Sequence, residues 1–144
     1  MTAAKSDWTY QGNQFTSEMI GESFGFVYRI TDLSNGKKYI GKKWFWSTTK
    51  RPPLKGYKRK RTVVKESDWI KYFGSSDEVK ALVEQNGYDG FEREILKLCA
   101  NKGECTYWET KLHFEYDVLL DDNYYNAFVS CKIHAKHVSS LKKD

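Results

Sequence analysis

Two tyrosines and a lysine in the first third of the chain carry side chains suited to phosphate chemistry. Tyr28 lies in the segment FGFVYRIT and Tyr39 in KKYIGKKWFW, with Lys43 a few residues further on. Two phenolic hydroxyls beside an ammonium group could orient and deprotonate a water molecule next to a phosphate. The competing interpretation is that both aromatic rings only pack against a sheet.

A β-hairpin is the element that would bring these side chains together. β-Branched and aromatic residues alternate over Phe24–Thr31 and predict one strand, and the segment KKYIGKKWFW predicts a second. The Asn-Gly pair between them is typical of a two-residue turn. Such a turn would pair Ser34 with Lys37 and would define the register of the whole hairpin.

This register has direct consequences for the predicted site. It places Tyr28, Tyr39 and Lys43 on one face of the hairpin. It also places Gly41 opposite Ile30, where the missing side chain leaves room for a ligand to approach the sheet. The hairpin therefore predicts an open surface with aromatic and basic groups.

Shorter elements follow the hairpin. Ser67–Gly74 predicts a helical turn, and Ser75 with Glu78 forms a capping box for the next helix. Residues 91–98 predict a third strand, with an amphipathic helix as the alternative interpretation. Apolar residues at helical spacing predict a last helix that ends near Leu120. Without an internal repeat, these elements indicate one α+β domain.

Length and composition exclude several classes of protein. A chain of 144 residues with 40% hydrophobic residues is long enough for one packed domain and too short for a large multidomain machine. No apolar run has the length of a signal peptide or a membrane span. Three cysteines in such a chain are expected to stay reduced.

The basic residues are concentrated in one segment. Between Lys37 and Lys65 there are twelve basic residues and no acidic one, whereas the rest of the chain carries twelve basic and all nineteen acidic groups. Like charges so close together repel each other, which predicts a polyanionic partner. Trp44, Phe45, Trp46 and Tyr57 within the segment suit stacking on nucleic-acid bases, and they could equally anchor the segment to the core. A solvated charged loop is the alternative interpretation.

The hairpin residues resemble a known signature. Residues 25–28 (GFVY) and 39–41 (YIG) are similar to the paired motifs of the GIY-YIG nuclease family. The resemblance extends to Asn126 and follows the order found in free-standing phage homing endonucleases of that family. Its later parts are residues 69–76, residues 86–96, Glu109 and Tyr125-Asn126.

The resemblance implies a small nuclease domain with a three-stranded antiparallel sheet flanked by helices. Such a domain would hydrolyse DNA phosphodiesters with one divalent metal ion, Mg²⁺ or Mn²⁺. Tyr28 would be the general base for the attacking water or would position it, and Tyr39 would orient water and scissile phosphate. Glu109 would be the metal ligand, and Asn126 would hold the site together by hydrogen bonds. Gly41 and Lys42 would support the site.

Two carboxylates on the last predicted helix are candidates for the metal ligand. Glu109 follows Trp108 at the flank of the apolar stripe, where a carboxylate can be half-buried and still reach the sheet. Glu115 lies closer to Asn126 in the sequence and is the competing candidate. Glu109 is preferred because the helix continues well beyond it, as in the family. His113, between the two, is expected on the exposed face.

One position departs from the family pattern. Family members carry an arginine on a helix soon after the second tyrosine, and this chain has Thr49 there. Arg51 is close, but the prolines that follow it disfavour helical geometry. The cation that stabilises the transition state is therefore expected to be Lys43, Lys42 or Arg61. A lysine would bind phosphate without the two-pronged geometry of an arginine.

A zinc site is the less favoured hypothesis for the C-terminal cysteine and histidines. Cys131, His134 and His137 have metal-binding side chains, but their spacing lacks the paired knuckles of common zinc modules. We expect these histidines to contact phosphate or solvent instead.

Together these patterns predict a metal-dependent DNA endonuclease of the homing type. The catalytic domain is expected over residues 24–126, after a loosely held arm over residues 1–23. A basic loop over residues 44–66 and a basic tail over residues 127–144 would contact double-stranded DNA. The DNA-binding residues are expected to be Arg51, Lys58, Arg59, Lys60, Arg61 and Lys65.

Other functions stay open at this level. A catalytically weakened relative that binds DNA without cutting it is the main alternative, because the expected arginine is missing. A structural or RNA-binding role of the basic loop is a third possibility. The chain is expected to act as a monomer or a DNA-induced dimer, away from membranes. Its place would be the cytoplasm, or the host cytoplasm if the gene belongs to a phage.

Overall fold

The computed structural model describes residues 7–129 and 135–141. Their strands are β1 (Trp8–Tyr10), β2 (Asn13–Gln14), β3 (Gly25–Asp32), β4 (Lys38–Trp44), β5 (Trp46–Arg51), β6 (Arg61–Glu66) and β7 (Phe91–Cys99). Their helices are α1 (Asp77–Asn86) and α2 (Lys102–Glu115), with 3₁₀ turns at Ser17–Met19, Trp69–Lys71, Tyr88–Gly90 and Ala135–Leu141. Within these ranges no helix has the length and apolar character needed to cross a bilayer.

The main sheet has five strands in the order β2-β1-β7-β3-β4. Strand β1 runs parallel to β7, and the other neighbours are antiparallel. The predicted α+β class is confirmed, but the prediction of a three-stranded antiparallel sheet is wrong. Strands β7, β3 and β4 form the predicted part, and the N-terminal strands extend it because β7 offers an unpaired edge to β1.

The N-terminal residues belong to the core, so the prediction of a loosely held arm is wrong for their described part. Trp8, Phe15 and Ile20 are at most 5% exposed. The Trp8 indole N–H donates to the carbonyl of Trp69 at 2.7 Å. These large side chains are separated by polar residues without a regular period, which is why the sequence pattern did not reveal them.

The sheet carries one core layer on each face. On the first face α1 and the Trp69–Lys71 turn cover an aromatic cluster that includes Phe26, Tyr28 and Phe45. On the second face α2 covers Val27 and Ile40. Successive residues of β3 and β4 therefore point alternately to two different layers. Strand β4 lies at the edge of the sheet.

The turn between β3 and β4 is wider than predicted. Tyr28 pairs with Gly41 and Ile30 pairs with Tyr39, so the predicted pairing of Gly41 with Ile30 is wrong by two residues. The shift is even, and Tyr28, Tyr39 and Lys43 still share one face. The room expected for a ligand beside Gly41 is filled by the Tyr28 side chain.

Side-chain hydrogen bonds explain the wider turn. A two-residue turn of the expected type needs a positive φ at both central residues, and in this loop only Gly36 has one, at 75°. The Asp32 carboxylate accepts from the Ser34 N–H at 3.0 Å, and the Asn35 side chain accepts from the Lys37 N–H at 2.8 Å. These bonds close a four-residue loop after Asp32.

The basic segment is a hairpin of its own, so the prediction of an irregular loop over residues 44–66 is wrong. Strands β5 and β6 pair from Trp46–Glu66 to Arg51–Arg61. Threonine and valine dominate the strands and favour extended structure. Pro52 and Pro53 lie beyond the last pair, where they interrupt no strand hydrogen bond.

Both helices differ from prediction at one end. Helix α1 is capped by Ser76, whose hydroxyl accepts from the Val79 N–H at 3.4 Å, and not by Ser75. Helix α2 ends at Glu115 because Asp117 has a positive φ of 50°. The Ser75 hydroxyl does not cap α1 and is therefore available to bind another side chain.

The hydrogen bonds in the wide turn predict that Asp32 makes a pH-dependent contribution to the free energy of unfolding. Burial opposes its ionisation, but hydrogen bonds from Ser34 and Tyr125 outweigh burial and hold the pKa of Asp32 below its ordinary value of 3.8. A lowered folded-state pKa stabilises the fold above the unfolded-state pKa and loses this effect as the pH falls through the folded one. Asp32→Asn should lower the free energy of unfolding by about 1–2 kcal/mol near neutral pH.

Urea unfolding of wild type and Asp32→Asn at several pH values measures this effect. The difference between the two proteins should shrink as the pH falls from about 5 to below 3.8. A difference that stays constant over that range would contradict the assigned role of the carboxylate.

Candidate active site

A cavity of about 540 Å³ lies across the edge strand β4. Because β4 has no further strand on its outer side, side chains from both core layers reach the same space. Tyr39 and Ser75 come from the α1 side, and Glu109 comes from the α2 side. The remaining lining residues are Lys42, Ser76, Asp77, Glu78, His113, Tyr125, Asn126, Ala127 and Phe128.

Tyr39 presents its hydroxyl to this cavity. The hydroxyls of Tyr39 and Ser75 share a hydrogen bond of 2.8 Å. Burial raises the pKa of Tyr39 above its ordinary value of 10.0, and the bond with Ser75 partly opposes this effect. Sequence reasoning missed Ser75 as a site residue. The Ser75-Ser76 pair was the available signal, because only one of two adjacent serines can cap a helix.

Tyr28 lies beneath the cavity and does not line it. Its side chain is fully buried, and its hydroxyl has no hydrogen-bond partner among the described residues. The ring occupies the space beside Gly41, with Gly74 above it. Burial, followed by the charges of neighbouring groups, raises the pKa of Tyr28 well above 10.0. The hydroxyl is thus held as a neutral group in the core.

Glu109 and Lys42 form a loose ion pair in the wall of the cavity. The Glu109 side chain is 13% exposed, and its Oε1 lies 3.5 Å from Lys42 Nζ. Burial raises the pKa of Glu109, and the positive charge of Lys42 opposes that shift. Lys42 Nζ also donates to the Thr106 hydroxyl at 3.0 Å. A half-buried carboxylate with one distant cation can accept a further positive charge.

Asn126 and His113 bind the backbone of β4. The Asn126 side chain accepts from the Ile40 N–H at 3.1 Å and donates to the Ile40 carbonyl at 2.8 Å. His113 Nε2 lies 2.9 Å from the same carbonyl, so this nitrogen carries a proton and donates. His113 is 5% exposed, and the prediction of an exposed helix histidine is wrong. Both side chains fix the edge strand one residue before Gly41.

The donor set of the cavity fits a hard divalent cation. Glu109 supplies one carboxylate, and no group of three metal-binding side chains exists among the described residues. Mg²⁺ is commonly bound by one or two carboxylates together with water and substrate phosphate. The open cavity and the half-buried carboxylate of Glu109 suit this mode of binding, in which Glu109 would hold the ion; Asp77 and Glu78 also line the cavity.

The structure separates the two candidate lysines. Lys43 points away from the Glu109 cavity, forms an ion pair with Asp68 at 2.7 Å, and lies 4.2 Å from the centre of the Tyr72 ring. It lines a different groove of about 690 Å³ at the base of the β5–β6 hairpin, together with Lys65. Lys42 is the lysine that shares the cavity with Glu109 and Tyr39.

The predicted DNA-binding residues are exposed on the β5–β6 hairpin, apart from the cavity. Thr49, at the position of the family arginine, lies in β5 and not on a helix. Glu115 is exposed at the end of α2 and does not line the cavity. Of the possible zinc ligands, Cys131 and His134 lie outside the described residues, and His137 packs against Gly103. The exposed hairpin residues are Arg51, Lys58, Arg59, Lys60, Arg61 and Lys65.

Comparison with known families gives one match. A family model described as "Putative endonuclease segE, GIY-YIG domain" matches residues 8–129. The chain belongs to the GIY-YIG nuclease family. The match starts in β1, so the two N-terminal strands are part of the matched GIY-YIG region. Membership implies an endonuclease, which is a hydrolase, with DNA as its substrate. Neither a curated protein nor a solved structure matches the chain.

The contact between Gly41 and Tyr28 predicts the effect of one methyl group. A β-carbon on Gly41 would fall on the Tyr28 hydroxyl and within 2.7 Å of Tyr28 Cζ. Because that ring is fully buried, Gly41→Ala should lower the free energy of unfolding by about 1–3 kcal/mol. Thermal and urea unfolding measure the loss.

Two further variants test whether the contact with Tyr28 causes the loss of stability. Gly90→Ala is the matched control, since a β-carbon there meets nothing within 4 Å, and its stability should not fall. Combining Gly41→Ala with Tyr28→Phe should recover part of the loss by removing the nearest atom. Equal losses for Gly41→Ala and Gly90→Ala would contradict the contact.

Proposed function

We propose that this protein is a metal-dependent DNA endonuclease whose reaction takes place in the cavity across β4. The observation that supports this proposal is that Tyr39 and Glu109, from opposite layers, line the same cavity with Lys42. A hydroxyl, a carboxylate and an ammonium group around one space can respectively handle water, a divalent cation and a phosphate oxygen.

Each side chain has a distinct proposed role. Tyr39, held by Ser75, orients the attacking water through its neutral hydroxyl, and the proton that the water loses passes to solvent. Tyr28 is a positioning residue, because its ring supports Gly41 and Tyr39 from below. Glu109 would hold Mg²⁺ or Mn²⁺, and such an ion would supply positive charge that neutralises the phosphate. Asn126 keeps Ile40, and with it the edge strand, in place.

Lys42 takes the place of the family arginine in this proposal. It lies 3.5 Å from Glu109, whereas Lys43 is engaged by Asp68 in another groove. An ammonium group can stabilise the charge on the phosphate of the transition state but lacks the paired donors of a guanidinium. The exposed cations of the basic hairpin suit backbone contacts, so a short or degenerate sequence preference is the expected behaviour.

One observation favours a second function. No arginine lines the cavity, and Lys42 is the one lysine in its wall among the described residues. A protein with weakened phosphate activation would still bind DNA through the hairpin. This alternative predicts binding with the salt dependence of phosphate contacts and no strand cleavage.

Supercoiled plasmid tests the proposed activity. Wild type with Mg²⁺ should relax or linearise the plasmid, and EDTA should abolish cleavage. Tyr39→Phe and Glu109→Gln should each reduce the rate at least about a hundredfold, the usual cost of removing one group that stabilises a transition state. Glu115→Gln is the matched carboxylate control and should cleave like wild type. DNA binding without cleavage in every condition would favour the non-cutting relative.

The two adjacent lysines provide a separate test. Lys42→Ala should reduce the cleavage rate about 10²–10³-fold at saturating DNA, because a cation beside the reacting phosphate is lost. Lys42→Arg should retain more activity than Lys42→Ala. Lys80→Ala, on the exposed face of α1, is the control for loss of one positive charge. A large loss with Lys43→Ala and none with Lys42→Ala would reverse the assignment.

A further inference from the structure

The tip of the β5–β6 hairpin is an ordered turn. The Tyr57 N–H donates to the Leu54 carbonyl at 2.9 Å, and Gly56 has a φ of 89°. A positive φ at the third residue is the mark of a type II turn, which brings its first and fourth residues within about 7 Å. Leu54 and Tyr57 are these two residues, and their side chains line one shallow pocket. The turn therefore presents them as a pair.

Leu54 and Tyr57 are exposed although both side chains are largely apolar. Leu54 is 53% and Tyr57 72% exposed. Single exposed apolar residues need no explanation, but this pair occupies the end of a projecting element. The eight lysines and arginines between Lys50 and Lys65 are all exposed, and none forms an ion pair within the described residues. A ligand for this tip must offer both dense negative charge and apolar surfaces.

The dimensions of the hairpin suit a groove of duplex DNA. Each strand has six residues and spans about 20 Å, and paired strands lie about 4.8 Å apart. The two strands pair only with each other and form a separate sheet. Two-stranded ribbons of this kind fit DNA grooves. Duplex DNA offers phosphates along both edges of the groove and apolar base faces within it.

We propose that the hairpin enters a groove of duplex DNA and that Leu54 and Tyr57 wedge into one base step and unstack it. The surrounding lysines and arginines contact phosphates and offset the cost of unstacking. This inference rests on the proposed function because it assumes that DNA is the substrate. It goes further by assigning a DNA-distorting role to two residues outside the cavity.

Fluorescence of 2-aminopurine tests the wedge directly. A set of duplexes carries the probe at successive positions, and EDTA prevents cleavage. Wild type should raise the fluorescence several-fold at one step and bend the duplex in a gel assay. Leu54→Ser/Tyr57→Ser should remove both signals while the slope of binding against salt stays unchanged. Leu120→Ser is the matched control, since that leucine is 84% exposed elsewhere, and it should behave like wild type.

A charge variant separates the wedge from the phosphate contacts. Lys58→Ala/Arg59→Ala/Lys60→Ala should flatten the salt slope by about 2.7, which corresponds to three phosphate contacts. All substituted residues are exposed, and unfolding curves should match wild type. A signal that persists in Leu54→Ser/Tyr57→Ser, or wild-type binding without any signal, would overturn the wedge.

Two controls keep the proposals distinguishable. Plasmid cleavage without base unstacking would reject the wedge alone, whereas absence of both binding and cleavage would reject the proposed function. Sedimentation with phosphatidylserine vesicles tests the other surface that attracts a basic, apolar tip. Vesicle binding that depends on Leu54 and Tyr57, together with unaltered DNA distortion in their variant, would assign the tip to lipid and overturn the inference.

Discussion

The packing of the Tyr28 ring against Gly41 is the constraint on which the candidate site depends. A glycine in the edge strand lets the ring of the paired strand lie across it, and this ring in turn supports Tyr39. Asn126 and His113 hold the same stretch from the outside through the Ile40 backbone. The edge strand is thus fixed from both sides, and side chains from two layers meet in one cavity.

Position at the edge of the sheet also explains how so small a domain assembles a polar site. In the middle of the sheet, Tyr39 and Glu109 would be separated by the strand between their layers. At the edge they reach around β4, and the segment that contains Asn126 closes the backbone hydrogen bonds that a missing neighbour strand leaves open. The carboxylate is half-buried there, which strengthens its interaction with any cation.

Positive charge is distributed between two surfaces with different tasks. Lys42 lies in the cavity, where one cation next to a carboxylate can act on a single phosphate. The hairpin carries exposed cations that form no ion pair within the described residues, and these can act on many phosphates at once. This division is consistent with a nuclease in which binding and chemistry use separate elements.

The sequence alone determined the nuclease family, the β3–β4 hairpin, β7 and four of the cavity residues, Tyr39, Lys42, Glu109 and Asn126, because motif order, strand alternation and charge segregation are local properties. It did not reveal β1 and β2, whose buried side chains follow no period. The register was misjudged because Asp32 and Asn35 hydrogen bonds select a wider turn. Only the tertiary structure decided that Lys42 and not Lys43 faces Glu109, that Ser75 binds Tyr39, and that Tyr28 is buried. These facts depend on which layer each side chain enters, and that choice is made by packing between residues far apart in the chain.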